Sequence, residues 1–294
     1  MIVADDLGYG DVSFNGSLDI STPNIDRIAK DGIKFTKGYV THSICAPSRA
    51  ALLTGKYQQR YGFERNPSAI PELSGGIPRG EFNLAEILKT SGYKTAAIGK
   101  WHLGVGSNYS PNHRGFDYFF GFERGGSNYY PELLTLDSYS EVTERYGWYN
   151  LKIIENKKPI KIRNYLTDEL SHAAVKFIDK QNESPFFLYL AYNAPHAPMQ
   201  ADQKIYNSIT NIKDPSRRTY AAMVKSLDNG VGKVLDAIDR HNISENTMVI
   251  FLSDNGGPEQ TNFSDNGILR GQKSTPYEGG IRVPIAIKWP SNYP

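Results

Sequence analysis

The sequence contains a single cysteine, Cys45, in 294 residues. One cysteine forms no internal disulfide and cannot supply a thiolate cage for a metal. Long apolar runs are lacking too, since none approaches the ~20 residues that cross a bilayer as a helix. The sequence therefore favours neither a disulfide-stabilised scaffold nor a membrane-spanning protein.

The sequence also lacks an excess of charge of either sign. Lysine and arginine number 33 against 31 aspartates and glutamates, for a net charge of +2, and no five like charges are consecutive. Binding to nucleic acid or to an anionic membrane surface relies on concentrated positive charge, so neither partner is expected. The chain is 39% hydrophobic and 22% charged, which is typical of a globular protein able to bury a sizeable core.

Strand-like apolar runs alternate with helical patterns, which predicts an α/β fold with a mostly parallel central sheet covered by helices. Strands are predicted at 1–4, 33–40, 94–99, 186–192, 248–252 and 283–287. Helices are predicted to open at Thr22-Pro23, with the Thr22 hydroxyl as cap, at Pro47 and at Asn83, and to span 165–181 and 216–241. The segment 105–161 is rich in Gly, Tyr and Asn and is predicted to form long loops. No linker divides the chain, so a single domain, 1–294, is expected.

Polar residues gather where the predicted strands end. They are Asp5, Asp6, Lys100, His102, His196, Asp254 and Asn255. Ligands of open parallel sheets bind outside the carboxyl ends of the strands, where loops converge. Alone, an Asp-Asp pair or an Asp-Asn-Gly-Gly sequence is more typical of a cap or turn. Together, three carboxylates and an amide oxygen favour a site for Ca²⁺ or Mg²⁺ rather than Zn²⁺.

Residues 45–55 read Cys-Ala-Pro-Ser-Arg-Ala-Ala-Leu-Leu-Thr-Gly. Pro47 predicts the start of a helix with Cys45 at its N-terminal mouth, where the helix dipole and free N–H groups favour an anionic group. A lone cysteine at this place is equally compatible with an activated nucleophile and with a small buried residue.

This segment resembles the signature of the type I sulfatases, Cys-x-Pro-Ser-Arg with a following Leu-Thr-Gly, which directs oxidation of the cysteine to formylglycine. Other blocks similar to the family's motifs occur in the family's order, at 4–11, 99–104, 114–117, 193–198, 251–256 and 271–284. The resemblance implies the fold of the alkaline phosphatase superfamily, a central sheet sandwiched by helices. It also implies a small C-terminal subdomain beyond Pro294, and the chain opens as though inside a strand. We therefore expect the N-terminal catalytic domain of a sulfatase, truncated at both ends.

The resemblance assigns a role to each candidate residue. One divalent cation, Ca²⁺ or Mg²⁺, would be held by Asp5, Asp6, Asp254, Asn255 and the modified Cys45. The other implied catalytic residues are Arg49, Lys100, His102, His196 and Lys273. A hydroxyl of the hydrated formylglycine attacks sulfur in this scheme, and His196 or Lys273 protonates the leaving alcohol. His102 then deprotonates the second hydroxyl, which expels the sulfate, while Arg49 orients the hydrate.

The implied partners are a sulfated small molecule or carbohydrate as substrate, and a formylglycine-generating or sulfatase-maturing enzyme. Since type I sulfatases are mostly exported, a periplasmic or secreted parent protein is expected. Two alternatives stay open. One is a formylglycine-type phosphonate or phosphodiester hydrolase, and the other is a non-catalytic relative that binds sulfated glycans. Asn255 occupies the place where two-metal relatives commonly carry histidine, so a second metal is not expected.

A few other residues have open or structural interpretations. His113 is a possible substrate contact in the loop-rich segment. Tyr109, Tyr129 and Tyr130 either stack on a sugar or pack against their own domain. Asp228, inside the long predicted helix, is expected to be a packing or capping partner rather than a catalytic residue.

Overall fold

A computed structural model describes residues 1–181 and 184–290 of the predicted domain 1–294. In this part of the chain, nine strands form one sheet in the order β2-β9-β8-β1-β7-β3-β4-β5-β6. The strands are β1 Ile2–Ala4, β2 Ile33–Lys34, β3 Lys94–Lys100, β4 Tyr118–Phe122, β5 Ile153–Glu155, β6 Lys158–Ile160, β7 Phe186–Ala191, β8 Val249–Ser253 and β9 Ile285–Lys288.

The sheet is parallel at its centre and antiparallel at both edges. The five strands β8-β1-β7-β3-β4 pair in parallel, whereas β2, β9, β5 and β6 join antiparallel. Parallel strands are buried on both faces and read as nearly unbroken apolar runs, as β7 does. The predicted α/β fold with a mostly parallel central sheet is therefore confirmed for the centre of the sheet.

Helices cover both faces of the sheet, as predicted. They are α1 Pro23–Lys30, α2 Cys45–Thr54, α3 Leu84–Thr90, α4 Leu166–Asp179, α5 Gln203–Ser208, α6 Pro215–Arg240, α7 Glu259–Asn262 and α8 Glu278–Ile281. One hydrophobic core joins the sheet to α1, α4 and α6, and a second joins its other face to α2 and α3. No helix among the described residues is both long and apolar enough to cross a membrane.

Helix starts match the predictions with two corrections. The Asn83 side chain caps α3 and forms a capping box with Glu86. Helix α2, however, begins at Cys45 rather than at Pro47, because Ile44 adopts the extended N-cap conformation. In the described structure Thr22 does not cap α1, since its hydroxyl accepts a hydrogen bond from the Ser13 amide.

Two loop and strand predictions were wrong. The strand predicted at 33–40 is only Ile33–Lys34, and Gly38 packs against Ile285, where an added Cβ would lie 2.6 Å from the Ile285 side chain. The segment predicted as loops, 105–161, contains β4, β5 and β6. The hairpin of β5 and β6 turns at Asn156, whose φ of 55° is left-handed. Its three-residue strands are too short to show a period in the sequence.

Candidate active site

Four adjacent parallel strands end at one edge of the sheet and position most of the predicted site. Strands β8, β1, β7 and β3 end at Ser253, Ala4, Ala191 and Lys100. The residues that follow them therefore meet, together with the N-terminus of α2 and the segment before α8. All ten predicted site residues lie in this cluster. They are Asp5, Asp6, Cys45, Arg49, Lys100, His102, His196, Asp254, Asn255 and Lys273.

Asp5 lies between two cations. The Lys100 ammonium donates to Oδ2 at 2.6 Å and Nη2 of Arg49 lies 3.7 Å from Oδ1, with all three side chains fully buried. Burial alone raises the pKa of the Asp5 carboxyl, but the surrounding cations, Lys100 foremost, hold it below its usual range. In return, Asp5 raises the pKa of Lys100 against the lowering effect of burial. Both groups are therefore charged at neutral pH.

Asp6 forms a second pair with Lys273. The ammonium donates to Asp6 at 2.7 Å, and Asn255 Nδ2 donates to Oδ1 of Asp6, also at 2.7 Å. Burial opposes a high pKa for Lys273, yet Asp6 raises it well above its usual value. The Asp6 backbone is left-handed, with a φ of 64°. Such a conformation is costly for a residue other than glycine and is concentrated at functional sites.

Asp254 pairs with Arg49. The guanidinium donates from Nε to Oδ2 at 2.8 Å, and from Nη1 to the Lys100 carbonyl at 3.2 Å. Burial raises the pKa of Asp254 to about 6, although Arg49 opposes part of that shift. Arg49 thus joins the second turn of α2 to the ends of β8 and β3.

The cluster has the composition of a hard-cation site. Ligand atoms of Asp5, Asp6, Cys45 and His196 all lie within 4.8 Å of one another. Oδ1 of Asn255 is buried and has no hydrogen-bond partner in the described part of the chain, although an unpaired buried carbonyl is unfavourable. Carboxylate and amide oxygens suit Ca²⁺ or Mg²⁺. Of the predicted ligands, Asp5, Asp6 and Cys45 belong to this group, whereas Asp254 does not and His196 is included instead. The carboxylates and the orphaned amide oxygen are donors that suit an oxygen-rich divalent-cation site.

Cys45 opens α2 within this cluster. Its side chain is only 2% exposed, and Sγ lies 3.6 Å from Oδ1 of Asp5. Burial raises the pKa of the thiol to about 12, with Lys100 opposing part of the shift. Because the thiolate is the nucleophilic form of cysteine, the unmodified side chain is unreactive at neutral pH.

The two histidines differ in their hydrogen bonds. Nδ1 of His196 lies 2.5 Å from the Ala197 carbonyl oxygen, which can only accept, so the ring proton is assigned to Nδ1. The other ring nitrogen, Nε2, lies 3.6 Å from Oδ2 of Asp6. Nδ1 of His102 is buried without a partner among residues 1–181 and 184–290. Burial, followed by the nearby Lys100, lowers the pKa of His102 well below its usual value, so this ring is a neutral proton acceptor.

Two tyrosines complete the cluster and were not assigned to it from the sequence. The Tyr129 hydroxyl lies 2.7 Å from the carbonyls of both Asn193 and His196 and so fixes the His196 loop. Tyr129 is fully buried, so it packs against its own domain rather than stacking on a sugar. The pKa of the Tyr149 hydroxyl is raised above its usual value, chiefly by burial, and the charges of Lys100 and Asp5 also act on it. Only the fold brings the loop that carries Tyr149 to the site.

Residues outside the cluster have structural partners. Asp228 accepts hydrogen bonds from the amides of Asn24 and Ile25, at 3.0 and 2.8 Å, and so caps α1 as a packing partner. Nδ1 of His113 lies 3.1 Å from the Ser110 hydroxyl. The interpretation of Asp228 is confirmed, and a role for His113 in substrate contact stays a prediction.

Comparison with known proteins gives a consistent result. The family model described as Sulfatase matches residues 1–294. The chain is 32% identical over 352 residues to an uncharacterized sulfatase, YdeN, of Escherichia coli strain K12, and 35% identical over 308 residues to N-acetylgalactosamine-6-sulfatase of Mus musculus. These matches cover 100% and 99% of this chain, but 59% and 57% of the two relatives.

A solved structure agrees with these matches. The crystal structure of Ps i-CgsB in complex with k-i-k-neocarrahexaose superposes with a TM-score of 0.93 and 42% sequence identity. The match covers 100% of this chain and 66% of that one. The chain thus spans about three fifths of the length of the curated relatives that it matches.

Proposed function

This chain belongs to the sulfatase family, and from that premise we propose that it hydrolyses sulfate monoesters, on sulfated carbohydrates, with a formylglycine made from Cys45. The observation that carries the proposal is the position of Cys45 beside two ion pairs, the buried pair of Lys100 with Asp5 and the partly buried pair of Lys273 with Asp6. A sulfate ester needs its negative oxygens neutralised before a nucleophile can attack sulfur. Two lysines beside the nucleophilic position, Lys100 buried and Lys273 partly buried, meet that need.

The proposal includes a bound divalent cation and a formylglycine at position 45. Asp5, Asp6, Asp254 and Asn255 would hold one Ca²⁺ or Mg²⁺, which supplies neutralisation of charge on the sulfate when bound. Formylglycine at position 45, as a hydrated aldehyde, would supply one hydroxyl for attack on sulfur and a second whose deprotonation releases the sulfate. Neither cysteine nor serine carries two such hydroxyls. The orphaned Oδ1 of Asn255 supports the cation.

The chain's own residues would perform the remaining steps. Lys100 and Lys273 keep their positive charge through their pairs with Asp5 and Asp6 and would hold the sulfate oxygens. Arg49 orients the substituent at position 45 from the next turn of the helix. His102 is buried and neutral, which suits it to accept the proton of the second hydroxyl. His196 or Lys273 would protonate the leaving alcohol. Lys273 is charged in its pair with Asp6, whereas His196, whose pKa burial lowers, would first take up a proton at Nε2.

Sugars are the favoured substrate class. The name of the mouse relative refers to a sulfated sugar, and the solved structure of Ps i-CgsB holds an oligosaccharide. Both support a sulfated carbohydrate for this chain. A maturing enzyme as partner, residues 1–294 as the catalytic domain, and export of the parent protein to the periplasm or the outside are parts of the same proposal.

Sulfate release tests the proposal directly. The chain is produced with a sulfatase-maturing enzyme and compared with Cys45→Ala on 4-nitrophenyl sulfate and on a panel of sulfated monosaccharides. We expect sulfate release that depends on Cys45. A higher kcat/KM on matched phosphonate or phosphodiester compounds would support the phosphonate hydrolase instead. Binding of sulfated sugar without any turnover would support the non-catalytic relative.

A further inference from the structure

The segment that follows β1, residues 5–11, carries two of the proposed cation ligands, Asp5 and Asp6, and is called the cation loop below. Asp6 has a left-handed φ of 64°. A residue other than glycine keeps such a conformation only where the surrounding structure enforces it. The contacts that hold this backbone therefore decide where the Asp6 carboxylate lies.

Side chains from distant parts of the chain hold four polar backbone groups of the cation loop. The Asp6 amide donates to Oδ1 of Asp254 at 3.3 Å, the Leu7 amide to Oγ of Ser253 at 3.1 Å and the Gly8 amide to the Tyr220 hydroxyl at 3.2 Å, while the Asp6 carbonyl accepts from Nδ2 of Asn262 at 3.0 Å. Each partner is more than 200 positions away in the sequence. The conformation of the loop is thus imposed by the tertiary fold.

Tyr220 reaches the cation loop from the long helix α6, which packs against α1 and α4. The side chain is fully buried in the larger hydrophobic core. Its hydroxyl accepts from the Gly8 amide and donates to Oδ2 of Asp11 at 2.6 Å. One oxygen atom therefore binds the cation loop at two points.

Asp11, the last residue of the loop, is itself held firmly. The Asp265 amide donates to its Oδ2 at 2.8 Å, and Nη2 of Arg217 lies 2.7 Å from its Oδ1. The Asp265 carbonyl accepts from the Gly10 amide at 2.9 Å. Tyr220 thus connects the cation loop to a framework that α6 and the segment after α7 already fix.

Gly8 shows how closely the loop lies against this framework. An added Cβ at Gly8 would lie 2.3 Å from the Asp265 carbonyl oxygen and 2.4 Å from Oδ2 of Asp11. Both distances are far shorter than van der Waals contact. The loop backbone is therefore in direct contact with its anchors, so their positions are transmitted to Asp6.

Asn262 provides the second anchor, on the other side of Asp6. It is the last residue of α7 and is fully buried. Nδ2 donates to the Asp6 carbonyl, and Oδ1 accepts from the Ser264 amide at 3.0 Å. Because both ends of the side-chain amide are bonded, Asn262 has one defined orientation.

We propose that Tyr220 and Asn262 are positioning residues for the divalent cation, which fix the backbone that carries the Asp6 carboxylate. The inference rests on the proposed function, because it needs the cation of that proposal. Both residues act through Asp6 rather than as ligands. A ligand held in place before the cation arrives loses less conformational freedom on binding, and groups that orient metal ligands change the metal affinity when they are replaced.

Isothermal titration calorimetry tests the role on the cation alone. The full chain, with formylglycine installed, is freed of metal with chelator, dialysed, and titrated with Ca²⁺ and separately with Mg²⁺. We expect Tyr220→Phe and Asn262→Ala each to raise the Kd of the cation about tenfold. At saturating cation, kcat/KM for sulfate release should return to near the wild-type value, since every proposed ligand is unchanged.

Tyr192→Phe is the matched control. Tyr192 is equally buried and belongs to the same hydrophobic core, but its hydroxyl lies 2.8 Å from Oγ of Ser171 on α4. The control should lose stability, measured by urea unfolding in chelator, yet bind the cation as the wild type does. If Tyr220→Phe does not fold, Asn262→Ala still reports on the cation loop.

The outcomes separate the positioning role from the proposed function. A folded variant that binds the cation with wild-type affinity would overturn the role of the residue it replaces. An equal rise in Kd in Tyr192→Phe would overturn both roles, since it would show a general loosening of the core. A wild-type chain that releases sulfate but binds neither cation would overturn the cation of the proposal and the positioning roles with it. Absence of sulfate release from a wild-type chain that does bind cation would instead overturn the proposed function.

Discussion

Nε of Arg49 donates a 2.8 Å hydrogen bond to Oδ2 of Asp254, and both side chains are completely buried. The two residues are 205 positions apart in the sequence, so the bond ties α2 to the end of β8. Nη1 of Arg49 extends the tie to the Lys100 carbonyl at the end of β3. Arg49 therefore joins three elements of the candidate site in addition to its proposed role beside position 45.

Replacing Arg49 should destabilise the fold as well as abolish activity. Arg49→Ala leaves the buried Asp254 carboxylate without its cation, and breaking a buried ion pair typically costs about 3–5 kcal/mol. Urea unfolding at neutral pH measures the change. The matched control is Arg27→Ala, whose partners Asp236 and Asp239 are exposed, and exposed pairs contribute about 0–1 kcal/mol. Equal losses in the two variants would contradict the structural role of Arg49.

That the candidate residues lie close together was predictable from the sequence, because short-range patterns mark strand ends and helix starts. Asp5 and Asp6 directly follow β1, and Asp254 and Asn255 directly follow β8. A parallel sheet brings such residues to one edge without further information. The resemblance to the sulfatase motifs then supplied Arg49, Lys273 and the conversion of Cys45, which the pattern alone left open.

Other features depend on contacts between distant parts of the chain. Asp228, rather than the adjacent Thr22, accepts hydrogen bonds from the first amides of α1, across more than 200 residues. Tyr149 reaches the site only because β4 and the hairpin of β5 and β6 lie beside β3. Local periodicity in the sequence predicts neither the Asp228 cap nor the position of Tyr149. The pairing of each lysine with one aspartate also depends on side-chain geometry, which the sequence does not specify.

Removing divalent cations should lower the stability of the chain. With a cation present at ~100 times its dissociation constant, binding stabilises the folded state by about 2.7 kcal/mol. We expect excess chelator to lower Tm and Ca²⁺ or Mg²⁺ to restore it, measured by differential scanning calorimetry. In Asp6→Asn this response should largely disappear. The exposed Asp31→Asn is the matched control and should respond like the wild type. The same Tm with cation and with chelator in the wild type would rule out the site.

Asp228 should make the stability fall as the pH rises from about 4 to about 6. Burial raises the pKa of its carboxyl from the usual 3.8 to about 6, although the amide of Ile25 opposes part of the shift. Below pH ~4 the group is protonated in both states. Above that, the unfolded chain releases the proton first, which favours unfolding by up to about 3 kcal/mol once the pH exceeds ~6.

Asp228→Asn removes the titration, because the amide stays neutral while its oxygen still accepts the two backbone hydrogen bonds. The bond from the Asn24 side chain to Oδ2 is lost as well, but that loss does not depend on pH. Relative to the wild type, the variant should become steadily more stable between pH 4 and pH 6, with the free energy of unfolding measured in urea at each pH. Asp236→Asn, an exposed carboxylate on the same helix, serves as control. Parallel pH profiles for the wild type and Asp228→Asn would contradict the raised pKa.

Conversion of Cys45 to formylglycine should require an unfolded chain. The side chain is 2% exposed and is surrounded by the side chains of Asp5, Lys100 and Lys273, so a maturing enzyme cannot reach it once the sheet has formed. We expect mass spectrometry to show conversion when the enzyme is present during synthesis, or acts on urea-unfolded chain, but not when it is added to the folded protein.

Alkylation with iodoacetamide checks the accessibility of Cys45 independently. The Cys45 thiol should resist alkylation in the folded chain, whereas a cysteine placed by Leu18→Cys, where the native side chain is fully exposed, should react at once. Rapid conversion of the folded protein would show that the helix carrying Cys45 opens far more readily than its burial implies.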